Sequence, residues 1–388
     1  DSWIIDGKKV QSTQKPTIVS STLTWEKVTT LDLGLDARFF NDALGVTFDW
    51  YNRTTSDILT TANLPATLGA DAPYENMGTI QTKGWELAID YRHTFKNGLH
   101  FGVTASVADD KTEVTKWTYN TKIPSYGATG WWDKSAYKEG MVLGDIWGLQ
   151  FDRFLTEDDF NADGSLKAGL PDQTKVFPAG YQFAPGDVLY KDLDNNVEIV
   201  KQTNTNDKGD LSVIGNALPR LQFGLNLDAA WKGFDISMFF QGVAKRKLWA
   251  AGNQVLPGFT TGEPFYKGAE DYWTPENTDA FYPRPMDYKQ SASGNYSVND
   301  RYLLNMAYLR LKTFTVGYSL PKVWLSKFKV QGLRVYFTGE NLFTIDGVKP
   351  AIDPEIGIRT ASGKSDQRNF GRSYPYQKTV SFGIQLSL

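Results

Sequence analysis

Cysteine is absent from the 388 residues, which excludes a disulfide framework, thiolate metal ligation and a cysteine nucleophile. Histidine occurs only as His93 and His100, and two imidazoles without a third ligand do not make a zinc site. No apolar run approaches the ~18 residues of a membrane-crossing helix, so a helical membrane protein is excluded. A net charge of −3 supplies no basic field, which argues against nucleic acid as a partner. The opening Asp1-Ser2-Trp3 has neither the basic segment nor the apolar core of a signal peptide, and no initiator methionine; a mature chain or a piece of a longer one is expected. Nucleophile-elbow and phosphate-loop patterns are missing, and no carboxylate pair stands out as acid–base machinery. Enzyme activity is therefore not expected.

Aromatic residues are abundant instead: 12 Trp, 19 Tyr and 23 Phe, too many for a disordered chain. Much of the sequence alternates with period two, the mark of strands with two different faces. Leu31, Leu33, Leu35, Ala37 and Phe39 share one parity, and Asp32, Gly34, Asp36 and Arg38 the other. The same pattern recurs at Trp85–Tyr91, Leu99–Val107 and Leu221–Trp231, and the chain ends on Val380, Phe382, Ile384, Leu386 and Leu388. The spacing predicts nine strands, near 27–41, 43–59, 78–95, 98–114, 218–231, 234–249, 302–320, 331–345 and 374–388. Leu309 and Leu311 fall out of phase with Phe314, Val316 and Tyr318, which predicts a β-bulge near Lys312-Thr313.

The connections alternate in length. Asn41-Asp42, Lys96-Asn97-Gly98 and Lys232-Gly233 are tight turns, whereas segments 60–77, 115–217, 250–301 and 346–373 are long. Long loops all at one end fit an outer-membrane barrel, with short periplasmic turns and long extracellular loops. In hydrocarbon every backbone N–H and C=O must be paired, and a closed antiparallel sheet meets that demand. One parity then faces lipid, and the other faces water: Asp32, Asp36, Arg38, Glu86, Asp90, Arg92 and Asp228 are the candidates to line the lumen. Trp50, Tyr51, Trp85, Trp231, Phe239, Phe240 and Tyr336 are candidates for the interfacial girdles. Nine strands leave two open edges, so further strands from the same or another chain are expected.

Several segments carry a resemblance to a known family. They are Tyr302-Leu303-Leu304-Asn305-Met306-Ala307-Tyr308-Leu309-Arg310-Leu311-Lys312, Val316-Gly317-Tyr318-Ser319-Leu320-Pro321, Arg334-Val335-Tyr336-Phe337-Thr338-Gly339-Glu340-Asn341-Leu342-Phe343 and Asp353-Pro354-Glu355. Gly186-Asp187-Val188-Leu189-Tyr190-Lys191-Asp192-Leu193 and Ile214-Gly215-Asn216-Ala217-Leu218-Pro219 join them. In order and spacing they resemble the C-terminal half of SusC/RagA-family TonB-dependent transporters of Bacteroidota. That resemblance implies a multi-pass outer-membrane protein whose residues 1–388 form the C-terminal portion of a barrel of about 22 strands. It also implies a plug domain and TonB box outside these residues, a SusD-like surface lipoprotein as partner, coupling to TonB through the N-terminal region, and import of oligosaccharides or, in some members, peptides. No cofactor is implied. The chain departs from the family at Asp192-Leu193-Asp194-Asn195-Asn196-Val197-Glu198, where two glycines of the usual turn are lost, and at Leu388, where an aromatic is usual.

Two smaller patterns bear on the site. Asp159, Asn161, Asp163 and Gly164 fit the first half of a calcium loop, but Leu170 stands where the closing glutamate belongs. They are the calcium candidates beside the plainer reading of a solvated turn. Trp117, Tyr119, Trp131, Trp132 and Tyr137 crowd the longest loop, and Phe265, Tyr266, Tyr272, Trp273, Phe281 and Tyr282 crowd the next. Flat aromatic faces stack on sugar C–H surfaces and also anchor protein interfaces, so Trp117, Tyr119, Trp131, Trp132, Tyr137, Tyr272 and Trp273 are the candidates for substrate or partner contact. The reading that results is a glycan importer that makes and breaks no bonds. Peptide import, a soluble all-β surface glycan-binding protein built of sandwiches, and a secreted β-rich hydrolase are the alternatives at this point.

Overall fold

Nine antiparallel strands form one continuous sheet in strict sequence order, each pairing with its neighbour in the chain. They are β1 (Lys27–Phe39), β2 (Leu44–Thr61), β3 (Tyr74–Thr94), β4 (His100–Trp117), β5 (Arg220–Trp231), β6 (Phe234–Lys245), β7 (Tyr308–Ser319), β8 (Gly332–Asp346) and β9 (Thr379–Ser387). The computed structural model describes residues 2–11, 20–61, 73–118, 137–201, 209–250, 252–259, 265–286, 294–325, 330–349, 352–355, 360–361, 364–365 and 374–387. Among them β1 and β9 are the edges, each paired on one side only. A hairpin, Ser2–Ile5 with Lys8–Gln11, precedes the sheet and has no counterpart in the alternation read from the sequence.

The tight turns follow from residues that tolerate a left-handed backbone. Lys232 and Gly233 both have positive φ, 49° and 87°, which suits a two-residue hairpin to the right-handed twist of its strands. Asn41 and Asp42 occupy the same region at the β1–β2 turn, preceded by Phe40. At the opposite end of the sheet the strands overrun the span that a membrane needs. β2, β3 and β4 run for 18, 21 and 18 residues, against ~9–11 for a crossing, so part of what the sequence assigns to loops is wall.

Cross-strand pairing sorts the side chains onto two faces. Leu33 pairs with Trp50 and Trp50 with Trp85, while Leu35, Phe48, Leu87 and Val107 make the next row. Leu33, Leu35, Phe382 and Ile384 are each more than half exposed, so the apolar parity is not covered by protein. A sandwich would bury those rows between two sheets; here one sheet presents them outward, as a lipid-facing wall does. The sandwich alternative falls on this observation.

The girdle assignment needs a correction. Trp50, Trp85, Trp231 and Phe240 share the apolar face, but Tyr51, Phe239 and Tyr336 belong to the polar one. Tyr51 lies over Gly84 across the β2–β3 pair, where a β-carbon would collide with its ring. Tyr336 lies in the same way over Gly383, and Phe239 pairs with Asn226. Parity, not closeness to a strand end, decides the face. The expected bulge is present: Phe239 pairs with Thr313 and Phe240 with Leu311, leaving Lys312 as the extra residue.

The buried core lies in the connections. One cluster joins Ile146 and Ala217 of the β4–β5 connection to Leu248, Leu256, Tyr282, Tyr302 and Met306 of the β6–β7 connection. A second joins Leu149, Phe177, Val188, Tyr190 and Leu211 to Trp273 and Ala280. Short ribbons stiffen this body: Asp145–Gly148 with Ser212–Asn216, Phe151–Phe154 with Val188–Tyr190, and Lys247–Leu248 with Leu304–Asn305. The two long loops are thus one folded unit, rooted on four consecutive strands.

Candidate functional site

The polar face of the sheet is a wall of paired charges and hydroxyls. Arg38 donates to Asp90 across two strands at 2.7 Å, and Thr47 donates to Asp36 at 2.7 Å. Asp228 stands 3.4 Å from the His100 ring and closes over Gly102, which pairs with Arg92. Arg334 donates to both oxygens of Asp235, at 3.0 and 2.6 Å. Asp32 pairs with Tyr51, and Glu86 pairs directly with Asp49. All seven candidate lumen residues therefore share this face. A hollow of about 520 Å³ opens on it between Thr47, Asp49, Glu86, Ser106, Gln222 and Gln241.

Above the wall, the folded loop unit is clasped by one buried carboxylate. Asp187 has no exposure, and its oxygens accept from the Tyr181 hydroxyl (2.8 Å), the Ala184 amide (2.9 Å), Arg284 Nε (2.8 Å) and Asn295 Nδ2 (3.0 Å). Asp187 and Tyr181 come from the first long loop, Arg284 and Asn295 from the second. Burial, followed by the nearby Asp187 charge, pushes the Tyr181 hydroxyl far above its ordinary value, so it stays a neutral donor. The preceding Gly186 has φ +89°, and a β-carbon there would enter the Trp273 ring. In sequence Gly186-Asp187 shows only as a family-like motif, because the partners of the clasp lie about a hundred residues away.

The aromatic candidates divide. Trp117 and Tyr137 are buried, with ring centroids 4.9 Å apart, in a small cluster with Ile58, Val114 and Met141. Trp273 is buried in the second core cluster. These three fasten the loops to the wall and to each other, and none presents a face to a ligand. Tyr119, Trp131 and Trp132 lie outside the described residues. Tyr272 is 40% exposed and borders a bowl of about 550 Å³, with Phe265 and Tyr266 beside it and Tyr282 and Tyr296 beneath.

The calcium candidates do not converge. Both oxygens of Asp159 accept from Arg153, at 2.6 and 2.7 Å, and the Arg153 bond holds the carboxyl down at about 2. Asp163 accepts from the Ser165 hydroxyl and amide, and Asn161 points its amide nitrogen at the same hydroxyl. Asp192, Asp194 and Asp210 do converge, within 4.8 Å, yet each turns oxygens to nearby backbone N–H groups. The turn survives without its two glycines because Asn195 (φ 61°) and Val197 (φ 64°) take left-handed conformations, a strained choice for the β-branched valine.

Comparison with known proteins agrees with this architecture. A family model described as TonB dependent receptor-like, beta-barrel, matches residues 6–199. TonB-dependent receptor P3 of Formosa agariphila is 27% identical over 99% of the chain, and TonB-dependent receptor SusC of Bacteroides thetaiotaomicron is 24% identical over 98%. The chain spans only about a third of their lengths, 36% and 34%. A solved structure of the RagAB peptide transporter superposes with a TM-score of 0.69, at 20% identity, over 100% of this chain and 38% of that one.

Proposed function

The chain belongs to the TonB-dependent receptor-like β-barrel family, an outer-membrane family of transporters and not of enzymes, and on that premise we propose that it forms wall and extracellular mouth of an oligosaccharide importer. The carrying observation is the pairing of a two-faced sheet with a separately folded loop unit that bears an open aromatic bowl. The sheet supplies a polar conduit wall, on which Asp32, Asp36, Arg38, Glu86, Asp90, Arg92 and Asp228 offer partners to hydroxyl-rich cargo. The loop unit supplies the capture surface and the seat for a SusD-like lipoprotein. Strands beyond β1 and β9 complete the barrel, and a plug coupled to TonB opens it. Peptide cargo is the second reading: Asp49 facing Glu86 on the wall would receive basic side chains as well as hydroxyls.

Uptake of labelled oligosaccharides by cells of the parent strain tests the proposal. Uptake is expected to fall to background when this gene or TonB is deleted, and the neighbouring lipoprotein should co-purify with the transporter. Unchanged oligosaccharide uptake alongside lost peptide uptake would overturn the glycan reading and leave the barrel reading intact.

A further inference from the structure

The bowl in the second long loop is an unusual use of aromatic surface. Among the described residues of the loop unit, other rings are partly or wholly covered, and Tyr190, Tyr302, Trp249 and Phe177 are nearly inaccessible. Phe265, Tyr266 and Tyr272 are instead exposed by 62, 38 and 40% within eight residues of chain, around the about 550 Å³ hollow. That volume lies in the ~300–1,000 Å³ range of small-ligand sites, which are mostly apolar with a few polar groups at the edge.

The bowl is rigid. The Tyr282 amide donates to Asp271 O (2.9 Å) and the Trp273 amide to Tyr282 O (3.0 Å), which locks Tyr272 beside Tyr282. Asn277 Nδ2 donates to Tyr272 O (3.2 Å), and the Tyr282 hydroxyl to Val255 O (2.9 Å). Preformed rings lose little freedom on binding. The two charges at the edge, Lys267 and Glu270, are exposed and cancel, so a neutral ligand is favoured. An extended peptide would need free backbone donors and acceptors, and the Asp271 and Tyr272 carbonyls, the Trp273 amide and both backbone groups of Tyr282 already have partners within the loop.

We propose that this bowl is a glycan subsite that takes one or two neutral pyranose rings, stacked on Phe265 and Tyr272, with Lys267 and Glu270 hydrogen-bonding ring hydroxyls. The inference rests on the importer reading but concerns where and how the cargo is first held. Ring stacking depends on the C–H face of a pyranose more than on its linkage, so neutral hexaoses of glucose, mannose, galactose and xylose serve as probes. Saturation-transfer NMR on the intact transporter is expected to detect at least one of them. Tyr272→Ala should weaken it at least ten-fold, Tyr272→Phe should retain it, and Phe265→Ala should weaken it separately, with melting temperature unchanged. Binding by none of the four probes, or equal binding by wild type and Tyr272→Ala, overturns the subsite. A proline-rich peptide competing for the bowl while no hexaose does so would also overturn it. Hexaose uptake that persists in Tyr272→Ala with unchanged affinity would remove the subsite without touching the importer reading.

Discussion

Arg310 gives the sharpest test of how the last long loop is held. Its side chain is 4% exposed and donates to Asp353 (2.7 Å) and Thr344 (2.8 Å), with Glu355 3.4 Å away. Lys312, the bulge residue, reaches Glu355 at 2.9 Å, and Tyr376 stacks over both cations at 5.4 and 4.8 Å. Asp353 also accepts the amides of Glu355 (3.0 Å) and Tyr376 (3.1 Å), so both ends of the 352–376 segment meet at one point on the wall. Removing one member of a buried pair costs about 3–5 kcal/mol, because the other is left without compensation. In Arg310→Met, Lys312 still covers Glu355 and two amides still face Asp353, which places the cost near the lower figure. About 3 kcal/mol corresponds to a ~150-fold larger open population of the latch. Hydrogen–deuterium exchange on the intact transporter in detergent reads this directly. The Glu355 and Tyr376 amides should exchange about a hundred times faster, while β8 amides between Gly332 and Gly339 keep their protection. Unchanged exchange at those two amides, or an equal loss throughout β8, would refute the latch.

Three further outcomes are expected. Asp187→Ala leaves Arg284 and Asn295 without their shared acceptor; calorimetry should show the loop unit melting earlier by about 3–5 kcal/mol with the barrel transition unmoved. Phe48→Arg, on the apolar row between Leu35 and Leu87, should cost about 2–4 kcal/mol of insertion into lipid vesicles, whereas Thr47→Arg on the polar face should insert normally; equal penalties would contradict the two-faced sheet. The Asp159 carboxyl, held by Arg153, sits at about 2 against an ordinary 3.8. A depressed carboxylate stabilises the fold above its unfolded value, so that contribution is complete above about pH 4 and fades towards pH 2. The melting-temperature gap between wild type and Asp159→Asn should therefore narrow below pH 4, and a constant gap would show that the pair does not matter.

The sheet was largely legible in the sequence because its physics is local. Alternation at Leu31–Phe39 or Val380–Leu386 reports a face without knowledge of any partner, and the phase slip between Leu311 and Phe314 located the bulge. The girdle residues were less legible: Tyr51, Phe239 and Tyr336 looked interfacial until pairing placed them over Gly84, beside Asn226 and over Gly383. The loop unit was opaque for a different reason. Its contacts join residues about a hundred positions apart, as Asp187 with Arg284 and Asn295, and no periodicity marks them. The same distance effect misdirected the aromatic candidates, since nothing near Trp117 in sequence announces that Tyr137 will cover it.

Because the two longest connections hold their own apolar interior and meet the wall at their roots and at a small seam around Ile58 of β2, the crown can vary apart from most of the cylinder beneath it. Substitutions on the rim around Tyr272 leave every lipid-facing row undisturbed. An engineer could likewise seat this crown on a related cylinder by splicing at Trp117, Arg220, Lys245 and Tyr308, provided that the seam at Ile58 is carried along.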